Sequence, residues 1–296
     1  MVDTRTYDDR DGWIWFDGKL VPWREANIHV LTHGLHYASS VFEGQRAYGG
    51  TIFALARHSE RLVNSARILG FDLPWSVAEI DAACIAVMQA NDLTDCYLRP
   101  VAWRGSEQLG VAAQATKPHL AIAAWPWGAY FGEDALAKGL RLDIAPWRRP
   151  APHTAPVHAK ASGLYMIATM SKHHAEARGF NDALMLDWRG QVAEATGANA
   201  FFIRDNVIHT PTPDCFLDGI TRQTVIEIAR KRGIAVQERA IWPEELETFE
   251  QFFLTGSAAE IAPVGSAGPW TFEVGALTRQ IQKDYSDLVN GRVSNG

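Results

Sequence analysis

The chain has few cysteines, no long apolar run and no block of like charge, and each shortage excludes a class of protein. Its three cysteines lie far apart and form no C-x-x-C pair, which argues against a disulfide framework or zinc ribbon and indicates reduced thiols in the cytoplasm. The longest apolar stretch, residues 119–132, contains Pro126 and is too short to span a bilayer. The N-terminal segment MVDTRTYDDRDG is polar and acidic, unlike a secretory signal.

The charge balance argues against nucleic acid as a partner. The chain has 28 basic and 34 acidic residues, a net charge of −6, and no cluster of Lys and Arg that would bind phosphates. Hydrophobic residues make up 47% of its 296 residues, which is enough for a sizeable packed core in one large domain or two ordinary ones. Neither nucleic acid nor a membrane is therefore an expected partner.

Short local signals predict the secondary structure. Asp17-Gly18 between two apolar runs predicts a hairpin over residues 12–23, and Ser76 with Glu79 forms a capping box that begins a helix. The runs 96–105 and 119–127 are typical of strands. Further helices are predicted over 59–69 with Ser59 as cap, over 162–178, from Thr221 as cap to Gly233, and after a second capping box, Ser257 with Glu260.

A change of composition near residues 126–139 predicts a domain boundary. Two aromatic, apolar strands are followed there by Gly and small polar residues. We expect two α+β domains: a small N-terminal domain over 1–127, an interdomain loop over 128–137 and a large C-terminal domain over 138–296. The chain shows neither the βαβ periodicity nor the G-x-G-x-x-G motif of a dinucleotide-binding fold.

Lys160 lies in HTAPVHAKASGLYM, with no acidic residue within ten positions on either side. A lysine in such a loop is most often simply solvated. Its small neighbours, however, would let a bulky planar group approach, and it lies just before a predicted helix. A lysine that forms a Schiff base must be partly desolvated so that its free amine is populated, and this setting suits that role.

Three other positions suit a ligand, although each has an ordinary structural explanation. Thr221 and Ser257 are typical helix caps, but two such starts rich in small residues would also bind an anion through exposed N–H groups. Glu194 in VAEATGAN is either a surface residue of a strand or a carboxylate that pairs with a positive group on a ligand. A protonated pyridine nitrogen would be such a partner.

A histidine cluster, His29, His33 and His36, has spacings that share one helix face. No H-E-x-x-H motif or carboxylate completes a metal site, so we expect these histidines to be packing or active-site residues and predict no bound metal.

Seven ordered segments carry a resemblance to a known family, and they run from about residue 12 to residue 282. These segments are IWFDGKLVPWREANIHVLTHGLHYASSVFEG, YLRP, PWGAYFG, AKASGLY, VAEATGAN, GITR and TGSAAEIAPV. The chain resembles the class IV pyridoxal-phosphate aminotransferases, and most closely the bacterial branched-chain amino acid aminotransferases. The resemblance implies a two-domain α+β fold of the D-amino acid aminotransferase-like type (PLP fold type IV), with the C-terminal domain binding the cofactor.

The resemblance also implies which residues bind pyridoxal 5'-phosphate. Lys160 would hold it as an aldimine and, once displaced by the substrate amine, would move the proton between Cα and C4′. Glu194 would pair with the pyridine nitrogen, and Tyr165 would hydrogen-bond the ring's phenolic oxygen. The phosphate would be held by Arg57, Ile220, Thr221 and Ser257, the last being a position where relatives often carry threonine.

Substrate contacts follow from the same resemblance. Tyr97 would help to hold the α-carboxylate beside the N–H groups of Ser257 and Ala258. Arg99 would bind the distal carboxylate of glutamate, and Tyr37 and Tyr130 would assist it. The apolar wall for a leucine or valine side chain would comprise Phe42, Trp127 and Tyr165. The loop QLGV at 108–111 and Trp103 depart from the bacterial pattern, so the side-chain preference stays open.

The implied reaction is transfer of the amino group of L-leucine, L-isoleucine or L-valine to 2-oxoglutarate, by a ping-pong mechanism in a cytoplasmic homodimer or larger homo-oligomer. Three alternatives stay open. A D-amino acid or (R)-amine transaminase would share the fold, although the YLR segment favours the branched-chain group. An aminodeoxychorismate lyase would share Lys160 and Glu194 but would eliminate pyruvate. A non-catalytic, metal-binding protein would use the histidine cluster.

Overall fold

The computed structural model describes residues 5–128 and 130–292 and divides into two compact units. The N-terminal unit comprises the described residues up to Gly128 together with Ala159–Gly163, and the C-terminal unit comprises those from 130 to 158 and from Leu164 onward. Lys160 thus packs in the N-terminal unit; the boundaries of the predicted domains themselves stay a prediction. Among the described helices, none has the length and apolarity needed to cross a membrane. Both units combine helices with a sheet, which confirms the α+β class.

One sheet organises the N-terminal unit. Its described strands are Trp13–Phe16 (β1), Lys19–Pro22 (β2), Ser40–Phe42 (β3), Gln45–Tyr48 (β4), Thr51–Ile52 (β5), Cys96–Arg104 (β6) and Pro118–Pro126 (β7). They pair in the order β2-β1-β7-β6-β4-β5, and β3 also pairs with β6. The helices are His33–Tyr37 (α1), Leu55–Ile68 (α2) and Val77–Ala90 (α3). Helices α2 and α3 pack on each other and contribute Leu62, Ile80 and Val87 to the core.

Two predictions that rest on neighbouring residues, the hairpin turn and the capping box, are confirmed in this unit. Asp17 and Gly18 form the hairpin turn at positive φ, and Ser76 and Glu79 form the predicted capping box of α3. The predicted cap of α2 at Ser59 is wrong, because α2 begins four residues earlier, at Leu55. Ser59 is buried inside the helix and donates to the Asp81 carboxylate. Ala54, in the left-handed conformation, precedes the helix without a side-chain cap.

A larger sheet organises the C-terminal unit. Its described strands are Leu140–Ile144 (β8), Asp182–Leu186 (β9), Val192–Ala195 (β10), Asn199–Arg204 (β11), Val207–Pro211 (β12), Val236–Arg239 (β13), Gln251–Gly256 (β14), Glu260–Ala267 (β15) and Trp270–Thr271 (β16). They pair in the order β10-β9-β8-β15-β14-β11-β12-β13, with β16 on β15. Strand β10 also pairs with β11, through the single pair Glu194 and Asn199, so six strands close into a barrel. Its core includes Phe202 stacked on Phe252.

Four helices belong to the described part of this unit: Glu133–Lys138 (α4), Tyr165–Ala177 (α5), Ile220–Lys231 (α6) and Ala276–Val289 (α7). Most of helix α4 lies in the segment 128–137, which the sequence predicts as an interdomain loop. The helix forms because DALAK, residues 134–138, is rich in strong helix formers. A 3₁₀ turn, Ser162–Leu164, forms the first part of the predicted helix 162–178.

Both predicted hydroxyl caps of this unit are wrong. The residue at the N-cap of α6 is Gly219, so Thr221 lies inside the first turn rather than before it. Ser257 lies in the turn between β14 and β15, and Glu260 is the first residue of β15, so these residues begin no helix. The S-x-x-E spacing is therefore misleading here, because the backbone reverses between two paired strands.

Candidate active site

The backbone of Lys160 is fixed on both sides inside the N-terminal unit. Its carbonyl accepts a hydrogen bond from the Phe42 N–H at 3.1 Å, and its own N–H donates to Oγ of the fully buried Ser65 at 3.0 Å. Ala161 forms an isolated bridge with Val41 of β3. The backbone at Lys160 is therefore fixed by hydrogen bonds on both sides, as in a strand. This fixes the position of Cα, from which the half-buried side chain extends.

The side chain of Lys160 shares an aromatic ring with Arg99. Its Nζ lies 5.0 Å from the centroid of the Phe42 ring, and Cζ of Arg99 lies 4.8 Å from the same centroid. Both distances are within the range of cation–π contacts. Phe42 thus connects the candidate catalytic amine with the candidate carboxylate-binding guanidinium.

Tyr97 and Trp127 extend this cluster. Nη2 of Arg99 donates to the Tyr97 hydroxyl at 3.1 Å, and the Tyr97 and Trp127 ring centroids are 5.0 Å apart. A Cβ at position 44 would lie 1.9 Å from the Tyr97 hydroxyl oxygen, so only Gly44 leaves room for it. Within residues 5–128 and 130–292, the buried Nε of Arg99 has no hydrogen-bond partner. The structure thus brings together five predicted residues: Phe42, Tyr97, Arg99, Trp127 and Lys160.

A buried charge network next to Phe42 is not predicted by the sequence. The fully buried Glu43 accepts hydrogen bonds from Nδ1 of His58 at 2.7 Å and from Nε and Nη2 of Arg61 at 2.7 and 2.9 Å. Burial acts to raise the pKa of Glu43, but the Arg61 charge and the His58 hydrogen bond outweigh it and lower that pKa. Burial lowers the pKa of His58, and the positive charges of Arg61 and Lys160 add to this effect.

Arg57 and Tyr37 lie elsewhere in the same unit. Arg57 is half-buried in the first turn of α2, four residues before Arg61 and therefore on the same side of that helix. Tyr37 ends α1, is 44% exposed and stacks on His33 at 4.6 Å.

The histidine cluster makes local contacts. Nε2 of His33 hydrogen-bonds the Gly110 carbonyl at 2.9 Å, Nε2 of His36 bonds the Val30 carbonyl at 2.8 Å, and Nδ1 of His29 accepts from the Leu31 N–H. These contacts tie together the turns around α1.

Glu194 lies in the C-terminal unit, at the point where the barrel closes. A β-bulge between Val192 and Glu194 shifts the register with β9, and such bulges redirect side chains. Glu194 is only 7% exposed, which excludes the surface alternative considered for it. Its Oε1 pairs with Nη2 of Arg149 at 2.9 Å, and its Oε2 accepts from the Asn199 amide at 3.0 Å.

Asn199 also connects Glu194 with the start of α6. Its Nδ2 donates to the Leu217 carbonyl at 3.0 Å, and a Cβ at position 219 would lie 2.2 Å from its Oδ1. Gly219 is therefore required where the chain enters α6. Ile220 and Thr221, the first residues of that helix, are both buried close to this point.

The turn that carries Ser257 and Ala258 reaches the same edge of the barrel. Asn199 pairs with Thr255 across β11 and β14, so Glu194, Asn199 and Thr255 lie side by side on three strands. Oγ1 of the buried Thr255 has no hydrogen-bond partner among the described residues. The barrel thus gathers four predicted positions: Glu194, the α6 start at Ile220 and Thr221, and the turn at Ser257.

The remaining predicted residues of this unit are aromatic. Tyr165 is half-buried at the start of α5. Tyr130 is 47% exposed, and its ring lies edge-on to Phe131 at 4.7 Å.

Arg149 is also absent from the residues that the sequence predicts. It is 45 positions away from Glu194, and only the folded chain brings the two residues together. The one available signal is a second arginine in WRRPAP, residues 147–152, which does not indicate a partner. The positive group that a buried Glu194 requires is thus supplied by the protein itself.

A separate cavity of about 200 Å³ lies beside the β9–β10 turn, lined by charged residues that include Asp187, Arg189 and Asp214. Ligand atoms of Asp187, Asp214 and Cys215 lie within 4.8 Å of one another. Arg189 is ion-paired with both carboxylates, at 2.6 and 2.8 Å, and so offsets one of their two negative charges.

Comparisons with known proteins identify the family. A family model described as amino-transferase class IV matches residues 40–267. A branched-chain-amino-acid aminotransferase from Pseudomonas aeruginosa is 41% identical over 96% of this chain and 95% of its own length.

Two solved structures of branched-chain aminotransferases are also similar. One, from the archaeon Thermoproteus uzoniensis with norvaline, has a TM-score of 0.92 and 37% identity over 96% of this chain and 97% of its own. The other, from Thermobaculum terrenum in its PLP-form, has a TM-score of 0.87 and 30% identity over 96% of this chain and 95% of its own. These similarities confirm the predicted fold.

Proposed function

The chain belongs to the class IV aminotransferase family, and we propose that it transfers the amino group of L-leucine, L-isoleucine or L-valine to 2-oxoglutarate. The observation that carries this substrate class is the Phe42 cluster of the N-terminal unit. It joins the amine of Lys160, the guanidinium of Arg99 and the rings of Tyr97 and Trp127 by direct contacts. A pocket wall of this kind offers apolar surface to an aliphatic side chain and a cation to a carboxylate.

The cofactor is pyridoxal 5'-phosphate, and the groups present fit it. The cofactor supplies an aldehyde that bonds to amines and a ring that withdraws electrons when its nitrogen is protonated. The buried carboxylate of Glu194, the buried hydroxyl of Thr255, which has no partner among the described residues, and the amine of Lys160 match the chemistry that such a molecule requires.

Lys160 supplies the amine that carries the cofactor and, after exchange with the substrate, the base that moves the Cα proton. Its fixed backbone supports this role, because proton transfer requires the base within hydrogen-bond reach of the reacting carbon. The Phe42 ring beside Nζ restricts water around the amine. In a ping-pong mechanism Lys160 would return to its starting state only after the second half-reaction, when the acceptor oxo acid has taken up the amino group.

Four residues would hold the phosphate: Arg57, Ile220, Thr221 and Ser257. Support comes from the entry to α6, where Gly219 leaves the first-turn N–H groups without a side-chain cap. A helix start of this kind favours an anion through its N–H groups and its dipole. Tyr165 would donate to the phenolic oxygen of the ring, and Glu194 would accept from the ring nitrogen.

Arg99 would bind the distal carboxylate of glutamate and 2-oxoglutarate, assisted by Tyr37 and Tyr130. The buried Nε of Arg99 has no partner among the described residues, which supports an acceptor from outside the protein. Tyr97 with the N–H groups of Ser257 and Ala258 would hold the α-carboxylate.

The wall against the aliphatic side chain would comprise Phe42, Trp127 and Tyr165. Their rings offer apolar surface and, apart from the polar tips of Trp127 and Tyr165, no group that requires a polar partner. The Thermoproteus uzoniensis relative was solved with norvaline, an amino acid with an unbranched aliphatic side chain, and this supports an aliphatic amino acid as the substrate of this chain.

Chiral analysis of glutamate tests the proposal directly. The purified protein is incubated with L-leucine, 2-oxoglutarate and pyridoxal 5'-phosphate, and the two glutamate enantiomers are quantified. Rapid formation of L-glutamate is the expected result. D-glutamate, or activity only with D-amino acids or (R)-amines, would contradict the stereochemistry. Pyruvate release from aminodeoxychorismate without amino transfer would contradict the reaction type.

A homodimer or larger homo-oligomer is also part of the proposal. The segment around α1 exposes Ile28, Val30, Leu31 and Leu35, and the loop that His33 ties to it exposes Leu109 and Val111. Apolar patches of this kind mark protein interfaces. Sedimentation equilibrium should give at least a dimer, and Val30→Asp with Leu35→Asp should dissociate it; a fully active wild-type monomer would contradict this.

A cytoplasmic location is the last part of the proposal. Cys84, Cys96 and Cys215 are all free and buried. Burial raises the pKa of these thiols to about 12, 11 and 12, which keeps them protonated and unreactive. Free thiols of this kind suit a reducing compartment, and localisation of a tagged chain in its native cell would test the inference.

A further inference from the structure

Glu194 has a permanent positive partner within its own unit. Arg149 is 7% exposed, and its Nη2 lies 2.9 Å from Oε1 of Glu194. The other carboxylate oxygen, Oε2, accepts from the Asn199 amide. Each oxygen of this buried carboxylate therefore already receives one donor from the protein.

Arg149 is itself held in place by its neighbours. Its backbone N–H donates to the Leu186 carbonyl at 2.9 Å, and its Nη2 also donates to the Thr196 carbonyl at 3.3 Å. Thr196 is anchored in turn, since its hydroxyl donates to the buried Asp182 at 2.6 Å. A guanidinium fixed at its backbone and at its tip can orient the carboxylate that it contacts.

We propose that Arg149 is a positioning residue, which keeps Glu194 ionised so that the proton shared with a bound pyridine ring rests on the ring nitrogen. This inference rests on the proposed function and extends it to a residue that does not touch the substrate. Through Glu194, Arg149 would control how strongly the ring withdraws electrons. Asn199 is the second group that donates a hydrogen bond to the Glu194 carboxylate.

The physical reason is competition for one proton. When a carboxylate and a pyridine nitrogen share a proton in a buried site, the proton rests on the more basic group. An opposite charge and a hydrogen bond both favour the ionised carboxylate, and a nearby cation alone shifts such an equilibrium by about 1–3 pH units. Without Arg149 the carboxylate becomes the stronger base, so the proton moves from the ring nitrogen to Glu194. The ring then loses its positive charge and withdraws electrons less strongly.

The test uses the holoenzyme reconstituted with pyridoxal 5'-phosphate labelled with ¹⁵N in the ring. The ¹⁵N chemical shift reports directly whether the ring nitrogen is protonated. In Arg149→Met we expect it to move towards the value of unprotonated pyridine, and in Arg149→Lys to stay near the wild-type value. A roughly 10- to 1000-fold change in the proton equilibrium is expected from the loss of the cation, with kcat reduced more than KM is raised.

A matched control separates this effect from the general loss of an ion pair. Arg178 pairs with the buried Asp143 at 2.7 Å in the same unit. Arg178→Met removes an arginine from a buried carboxylate without touching Glu194, so it should leave the ¹⁵N shift unchanged. If Arg149→Met does not fold, Arg149→Gln is used, because its neutral amide still donates hydrogen bonds.

The outcomes are distinct. A wild-type ¹⁵N shift in a folded Arg149→Met or Arg149→Gln protein overturns the role of Arg149. Equal shifts in the Arg149 and Arg178 variants overturn it as well. A wild-type enzyme that binds the cofactor with an unprotonated ring nitrogen would also overturn this inference, whereas a wild-type protein that does not bind the cofactor would contradict the proposed function itself.

Discussion

Two buried carboxylates, one in each unit, each have an arginine partner but differ in how their networks are built. Glu43 receives His58 and Arg61, which come from one helix, α2, and the network thus ties that helix to the adjacent strand. Glu194 receives Arg149 and Asn199, which come from two separate parts of the chain, at a bulge where the barrel closes. A buried ion pair alone therefore does not identify a site. What distinguishes Glu194 is its place beside the α6 start and the Ser257 turn.

The largest expected effect concerns the amine of the N-terminal unit. Lys160→Ala removes both the attachment point and the base, and because general acid–base catalysis alone contributes about 10²–10⁴-fold, we expect turnover to fall by at least that factor. Steady-state assays with L-leucine and 2-oxoglutarate measure it. Lys19→Ala, an exposed lysine of β2, serves as the control. Substantial activity of a clean Lys160→Ala preparation would contradict the assignment.

Matched amide substitutions at the two carboxylates sharpen the comparison. Glu43→Gln breaks a fully buried ion pair, so we expect the free energy of unfolding to fall by about 3–5 kcal/mol. Glu194→Gln also breaks a buried ion pair, the one with Arg149, so a loss of stability is expected there too; in addition turnover should fall by about 10- to 150-fold, because a charge-assisted hydrogen bond contributes roughly 1.5–3 kcal/mol. Chemical denaturation and kinetics on both variants measure this. The comparison fails if folded Glu194→Gln keeps the wild-type turnover, or if Glu43→Gln lowers turnover as strongly as Glu194→Gln does.

Arg99→Ala tests the Phe42 cluster at the substrate. The change removes the cation expected to bind the second carboxylate, so kcat/KM for glutamate should fall by about 10-fold more than that for leucine. Arg104→Ala, on the same strand but bonded to the carbonyls of Ala113 and Gly70, controls for disturbance of β6. Equal losses for the two substrates would remove the proposed role of Arg99.

The phosphate contact is tested by comparing two arginines one helical turn apart. We expect Arg57→Gln to raise the dissociation constant of pyridoxal 5'-phosphate by about 10-fold, the effect of losing one charge-assisted hydrogen bond of roughly 1.5 kcal/mol. Arg61→Gln is the comparison variant, because Arg61 is held by Glu43. If Arg61→Gln weakens the binding of pyridoxal 5'-phosphate more than Arg57→Gln does, the phosphate contact would have to be assigned to Arg61 instead of Arg57.

The smallest expected effect is the pH dependence of the Glu43 network. The pKa of His58 is lowered from 6.5, so unfolding takes up a proton below that pH and stability falls as the pH drops. The pKa of Glu43 is lowered from 4.5, so its contribution is present above pH 4.5 and is lost as the solution becomes more acidic. His58→Asn should flatten the fall of the unfolding free energy between about pH 7 and 5. If the unfolding free energy of His58→Asn depends on pH as steeply as that of the wild type, the lowered pKa of His58 would be contradicted.

Turns and helix caps that depend only on residues near in sequence can be predicted from the sequence. Features that depend on the pairing of strands cannot. Ser76 and Glu79 are three residues apart, and the turn at Asp17-Gly18 is set by its own backbone, so both are predicted correctly. Ser257 and Glu260 have the same spacing, but the pairing of β14 with β15 overrides it.

The site follows the same rule. Lys160 and Glu194 stand out in the sequence because small residues around them leave room for a ligand. Arg149 and the Glu43 network do not, since their partners are distant in sequence and only the folded chain brings them together. The first residue of α2 also cannot be predicted from the sequence, because the residue before it, Ala54, has no side chain that could cap a helix.

The closure of the barrel by the single pair Glu194 and Asn199 has a consequence for exchange with solvent. Besides this pair, the junction has one backbone hydrogen bond, from the Ala195 N–H to the Ala198 carbonyl, so it can separate there without disturbing the five pairs that join β11 to β14. Local opening should therefore begin at this position, at a free energy below that of global unfolding. In hydrogen–deuterium exchange, the amides of β10 should exchange faster than those of β14, and a molecule that bridges the closure should slow them selectively.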